Sequence, residues 1–250
     1  MAVRPIFMPD ESSGNFVIEH EVTFKWYAGY SLSQKQKSIQ SLHDSATKEG
    51  ISPILEISTK SENPLGVKLS AFNLSISLSN GNKIPVEAAY QGSKVFEKGG
   101  PFLDFYFLSG RDIKKDQRLY QSGKLTSFKF QDEYWPLEPL TAFYDWLYIN
   151  AIYQNKSLMI QLPSFKGFSD IAFNPQKSFS CQARSAALFV SLQKHGLLDL
   201  AIRNQNEFLK ILKPFEYHIV ESFSEAVQEE LFSASPKPAK KTSKRKPRLK

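Results

Sequence analysis

The 250-residue sequence predicts an α+β fold, a mostly helical single domain around a small antiparallel sheet. Three observations carry this expectation. Asn73 to Leu78 alternates strictly before Asn80-Gly81, the strongest short hairpin signal available. Apolar residues at helical spacing recur from Thr141 to Asn150 and from Cys181 to His195 without a breaker. Composition adds the third: 41% apolar residues, with 20 Phe and 10 Tyr, suffice for one substantial aromatic core.

Taken in order, the first twenty residues read as mixed and turn-rich, and Val22 to Trp26 as a strand. Ser33 to Glu49 is charged and closed by Gly50; Ile39, Leu42 and Ala46 give it one apolar edge, hence a helix. Ile54 to Ile57 reads as a buried strand after Pro53. Pro85 suits a first helical turn, which leaves its missing donor harmless, and Gly99-Gly100 would stop the helix that it starts. Leu197 to Leu212 holds one or two further helices before Pro214, and Tyr217 to Phe232 an amphipathic one with an acidic face.

The net charge of +7 is local. Ser233 to Lys250 carries eight basic residues and no acidic one, while the preceding 232 residues hold 24 basic against 25 acidic side chains. That tail has nothing apolar to bury and is expected to be disordered, so residues 1–232 form the domain and 233–250 a basic appendage. One cysteine excludes an internal disulfide, and the four histidines lack metal-ligand spacing, so neither a metal nor another cofactor is expected. With no secretory leader and no apolar run of 18 residues, the sequence predicts a soluble cytoplasmic protein without a membrane partner.

Within Ile84 to Phe96, Glu87, Gln91 and Lys94 fall at i, i+4 and i+7, which a helix places at roughly 0°, 40° and −20°. They would form one polar stripe, with about 10.5 Å between its ends. A carboxylate and an amine converging on such a gap make an acid/base and nucleophile pair, since a lysine partly removed from water gives up its proton more readily and attacks a masked aldehyde. Gln91 would orient a hydroxyl or carbonyl between them. A solvated polar face is the plain alternative, but the small neighbours Ala88, Ala89, Gly92 and Ser93 suit a helix approached closely by a backbone or ligand.

Other motifs are weaker. Gly123-Lys124 lacks both the Ser/Thr and the first glycine of a phosphate loop, where Leu125 and Arg118 stand. Neither Gly-x-Ser-x-Gly nor Gly-x-Gly-x-x-Gly occurs. Arg111, Lys114, Lys115 and Arg118 cluster after Gly110 and suit either a pyrophosphate or solvent. Phe102, Phe105, Tyr106 and Phe107 suit either a stacked base or the core.

Ser70-Ala71-Phe72-Asn73, a strand and turn, and then Pro85-Val86-Glu87-x-x-x-Gln91-x-x-Lys94-x-Phe96 resemble the signature of the NADAR, or YbiA-like, family. In that signature a Ser-Asn-Phe motif precedes Glu-His-x-x-Gln-x-x-Lys. Phe173-Asn174-Pro175 and the helix from Cys181 to Val190 occupy the place of the family's C-terminal elements. The resemblance is strongest over 54–196. With Phe24-Lys25-Trp26, Ser33-Gln34-Lys35, Glu56 to Lys60 and Phe143 to Leu147, the body is most similar to the NADAR antitoxins associated with DarT toxins. Ala88 and Ala71 stand where most members have histidine and asparagine, and the Leu-Gly of the last helix is not preserved.

The resemblance implies cleavage of an N-glycosidic bond: removal of ADP-ribose from guanine bases in DNA, as antidote to a DarT-like toxin. Lys94 would be the Schiff-base nucleophile, Glu87 the proton shuttle and Gln91 the positioner. Ser70, Phe72, Asn73, Arg111, Arg118, Asn174 and Arg184 are the candidate substrate contacts. The basic tail would draw in ADP-ribosylated DNA nonspecifically, or merely solubilise the chain. Two alternatives are an N-glycosidase for a ribosylamino-pyrimidine of riboflavin synthesis and a noncatalytic module that binds the toxin or ADP-ribose.

Overall fold

The strand expected at Val22 is longer than its alternation shows. A computed structural model describes residues 1–12, 15–176 and 178–212, and in it β2 spans Val17–Phe24 and pairs antiparallel along its whole length with β1, Ala2–Pro9. The turn-rich reading of the N-terminus is thereby corrected. Pro5 and Pro9 mask the strand in the sequence, because proline normally argues against one. Both faces of β1 are also covered, so it reads as an apolar run: Ile6 packs under the first helix and Phe7 enters the main core.

That helix, α1, spans Leu32–Lys48, capped by Ser31, whose hydroxyl accepts the Gln34 N–H. Ile39, Leu42 and Ala46 are buried as their spacing requires, against Val22 and Phe24. β3, Ile54–Glu56, runs parallel to β9, Gly167–Ser169, and β9 meets β1 at Phe7 and Phe168. The order β2-β1-β9-β3 makes the largest sheet mixed. Its strands come from three distant stretches of chain, which no local pattern announces.

Asn80-Gly81 does turn a hairpin. β4 (Ser75–Ser77) pairs with β5 (Lys83–Pro85), and Gly81 takes the left-handed φ of 83° that suits glycine. Between β3 and this hairpin lies α2, Pro64–Leu69, and after it α3, Val86–Gly92. A third sheet follows, β6 (Lys94–Phe96), β7 (Leu125–Phe130) and β8 (Glu133–Trp135), all antiparallel. Between β6 and β7 the chain makes a 3-10 turn over Leu103–Phe107 and the short helices α4 (Gly110–Ile113) and α5 (Arg118–Gln121).

The main core is built on α6, Ala142–Tyr153, and, after α7 (Lys156–Met159), on α8, Gln182–Lys194. Most of α6 is buried, which explains why it is apolar on nearly all sides rather than striped. Phe128, Phe130, Trp135, Phe143 and Phe168 fill the space around it. α9 (Leu198–Ala201) and α10 (Gln205–Leu212) close the described chain, with Phe208 against Trp135. The fold is α+β as expected, although the strands form three small sheets instead of one. The helix expected over Tyr217–Phe232 and the basic tail lie outside the described residues.

Candidate functional site

The polar stripe does not lie on one helix. α3 ends at Gly92, and Ser93 caps it: its N–H and its hydroxyl both donate to the Ala89 carbonyl, at 3.1 and 2.7 Å, while its own carbonyl accepts the Lys129 N–H of β7 at 2.7 Å instead of a helical donor. Lys94 then opens β6, opposite Phe128 of β7. The helix expected up to Gly99 is thus seven residues long, because Lys94–Phe96 finds a partner strand that local propensity cannot reveal. Gly99 instead closes a tight turn by accepting the Phe96 N–H.

Lys94 nevertheless turns back toward α3. Its ammonium lies 5.2 Å from the centre of the Tyr90 ring, one residue before Gln91. Tyr90 meets Tyr144 of α6 edge to face at 5.1 Å, and Tyr144 in turn feels the charge of Glu87. Burial first, and that carboxylate second, push the Tyr144 phenol well above its usual range, so it stays protonated. Gln91 Nε2 donates to Glu87 Oε1 at 3.2 Å, whereas Gln91 Oε1 is buried without a partner. A buried carbonyl oxygen with no donor is costly, and ligands commonly satisfy such atoms.

Glu87 is placed by the backbone. Val86 N–H and Glu87 N–H donate to the carbonyls of Leu74 and Ala71, each at 2.9 Å, seating the start of α3 on the Ser70–Leu74 turn. That turn is itself pinned: Gln182 Oε1 accepts the Ala71 N–H at 2.8 Å, and Gln182 Nε2 donates to the Ile57 carbonyl and to Asp170. The small residues around the stripe serve this packing. A Cβ on Gly92 would lie 2.6 Å from the Tyr106 ring and 3.0 Å from the Phe102 carbonyl, so a neighbouring backbone occupies the space there.

A family model for the DarT1-associated NADAR antitoxins matches residues 2–221. The chain belongs to that family. Its antitoxin role therefore lies in a DarT system. No curated protein matches the sequence.

The NADAR fold distributes the other candidate contacts unevenly. Ser70 ends α2 and is buried, with its hydroxyl unpartnered, so it resembles Gln91. Phe72 is 41% exposed on the same turn, with the Lys114 ammonium 5.1 Å from its ring centre. Asn73 donates to the Val67 carbonyl and lines a separate cleft of about 400 Å³ with Lys68 and Lys83. Arg111 is exposed on α4. Asn174 accepts the Gln176 N–H across its own turn.

Two arginines are already committed within the protein. Arg118 pairs with Asp104 at 2.6 Å and Asp116 at 2.8 Å and lies over Phe102 and Phe105. Arg184 donates to the buried Asp145 at 2.8 Å, whose carboxylate also takes the hydroxyls of Thr141 and Ser185. Sequence reading assigned no role to Tyr90, Tyr144 or Gln182. Only the long-range contacts single them out.

Among the described residues no group of three or more His, Cys, Asp or Glu could hold a metal ion, and no helix is long and apolar enough to cross a membrane. A buried acidic pair does exist. Burial and the charge of Asp170 push the Glu56 carboxyl up to about 8, and burial raises Asp170 to about 6. Ser169 donates to Glu56 at 2.6 Å; with its hydrogen spent there, its oxygen accepts from His43 at 2.8 Å. Burial lowers His43 to about 4, so it is neutral near pH 7.

Proposed function

We propose that the protein is an N-glycoside hydrolase that removes ADP-ribose from guanine bases in DNA, acting as antitoxin to a DarT-like toxin. The observation that supports this reading is the Gln91 carbonyl oxygen, buried and unpartnered beside the Glu87 carboxylate, on a helix whose Tyr90 ring lies 5.2 Å from the Lys94 ammonium.

In the proposed reaction the ribose ring opens, converting the C1–N glycoside into an iminium at C1. The deprotonated Lys94 amine adds to C1, and loss of the guanine amino group leaves C1 joined to Lys94 as a Schiff base. Water then adds to C1, the C1–Nζ bond breaks, and ADP-ribose and the free amine are released. The net reaction consumes one water. Glu87 carries the protons in both halves. Gln91 Oε1 accepts from a substrate hydroxyl, and the protonated Tyr144 keeps the surroundings of Glu87 neutral.

The eight cations from Ser233 onward supply a nonspecific, salt-sensitive attraction to the DNA backbone. The test is release of ADP-ribose from an oligonucleotide bearing ADP-ribosylated guanine, with borohydride trapping of a protein–sugar adduct. Full turnover by Lys94→Ala would sink the Schiff-base route. Undetectable turnover by the parent protein, with tight binding of the toxin, would leave a noncatalytic antitoxin.

A further inference from the structure

Immediately outside the site lies a surface that the proposed chemistry does not use. Phe72, Leu103, Phe107 and Leu108 are large apolar side chains left 41%, 53%, 73% and 38% exposed. They belong to one neighbourhood: Gly110 abuts the Phe72 ring so closely that a Cβ there would lie 2.7 Å from it, and Phe107 is three extended residues, about 10 Å, before Gly110. The Phe72 turn is also the one whose Ala71 carbonyl seats Glu87.

Charge decides what fits this surface. Arg111, Lys114 and Lys115 are exposed here, and none is ion-paired among the described residues. Asp104 and Asp116 hold Arg118, and Asp112 accepts the Ser109 hydroxyl at 2.6 Å, so with Arg118 the four cations of this stretch exceed its three acids by one. The Lys114 ammonium already lies over the Phe72 ring, while Phe107, 73% exposed, is the more open ring of the two. Exposed aromatic faces interleaved with unpaired cations are the chemistry that holds an unpaired nucleic acid strand, with bases on the rings and phosphates on the cations. A mainly apolar protein partner would not call for the cations.

We propose that Phe72 and Phe107, with Arg111 and Lys114, form a subsite for the nucleotides flanking the modified base, in which a neighbouring unpaired base stacks on an aromatic ring and its phosphates meet the two cations. The inference rests on the reading of ADP-ribosylated DNA as substrate, and it assigns the face from which the strand enters. Stacking requires an unpaired base, so single strands bind and closed duplexes do not.

The test uses Phe107→Ala combined with Lys114→Glu in the full chain. Turnover is compared on an ADP-ribosylated guanine oligonucleotide of about eight nucleotides and on the ADP-ribosylated mononucleoside, which has no flanking residues. The expected result is a KM for the oligonucleotide raised roughly tenfold or more, with the KM for the mononucleoside within twofold of the parent. Equal rises for both substrates, or none, would overturn the subsite. Fluorescence anisotropy with an unmodified single-stranded oligonucleotide decides the matter separately: the variant should bind more weakly and with a shallower salt dependence. Equal affinity of parent and variant, or a preference for duplex, would overturn it, as would lost toxin binding with strand binding intact. Failure of the parent to turn over either modified substrate would instead refute the proposed reaction.

Discussion

Two polar clusters on α6 and its neighbours differ in how completely their atoms are satisfied. Asp145 takes three side-chain donors, Arg184 at 2.8 Å, Thr141 at 2.7 Å and Ser185 at 2.5 Å. Around Tyr144, one residue earlier, Glu87 receives the Gln91 amide at 3.2 Å, and the Gln91 carbonyl oxygen receives nothing. In the first cluster the buried carboxylate is fully engaged within the protein. The second keeps an acceptor in reserve, as binding sites do. Arginine identity alone would have favoured Arg184 as a substrate contact; its partners make it a structural cation.

The comparison breaks most sharply at Lys94. Lys94→Ala should cost about 10³-fold or more in single-turnover ADP-ribose release while the melting temperature stays close to that of the parent. Next comes Glu87→Gln, which removes the proton shuttle but keeps the shape; a loss of about 10²–10⁴-fold in kcat is expected. For the closed cluster the pattern reverses. Arg184→Met leaves Asp145 buried without its cation and should cost roughly 3 kcal/mol in chemical denaturation, with turnover per folded molecule retained. A large activity loss at unchanged stability would return Arg184 to the substrate site.

Gly92→Ala sharpens the packing side of the contrast. Its Cβ would press on Tyr106 and the Phe102 carbonyl, lowering stability by about 1–3 kcal/mol. A separate effect concerns pH. With Glu56 held at about 8 against 4.5 unfolded, the folded state keeps a proton that the unfolded chain releases, so this contribution to stability is lost as pH rises from about 4.5 through 8. Glu56→Gln should flatten that fall in urea midpoints. His43, held at about 4 against 6.5, acts in the opposite sense and removes stability as pH falls from about 6.5 to 4.

Local chemistry carried much of the fold. Gly50 closes α1, whose cap is Ser31 two residues before the expected Ser33; Asn80-Gly81 turns the β4–β5 hairpin, and α6 and α8 form where apolar residues run without a breaker. The N-terminal strand escaped because its prolines and its two covered faces erase alternation. Lys94 shows the same limit at the site. Its register relative to Glu87 and Gln91 fits a continuous helix, yet Ser93 and the β7 partner convert the segment to a strand.

The sequence by itself determined which residue types are present and where local breaks fall: one acid, one amide and one amine within eight residues, preceded by a turn, on an α+β chain with its excess charge confined to one end. The tertiary structure decided which of them meet. Gln182, more than a hundred residues away, fixes the turn that seats Glu87. The third sheet carries Lys94 to the Tyr90 ring, and carboxylates distant in the chain pair with Arg118 and Arg184, the buried Asp145 among them. The physical reason is that hydrogen-bond satisfaction and burial are properties of pairs brought together across the chain, and a local pattern contains only one member of each pair.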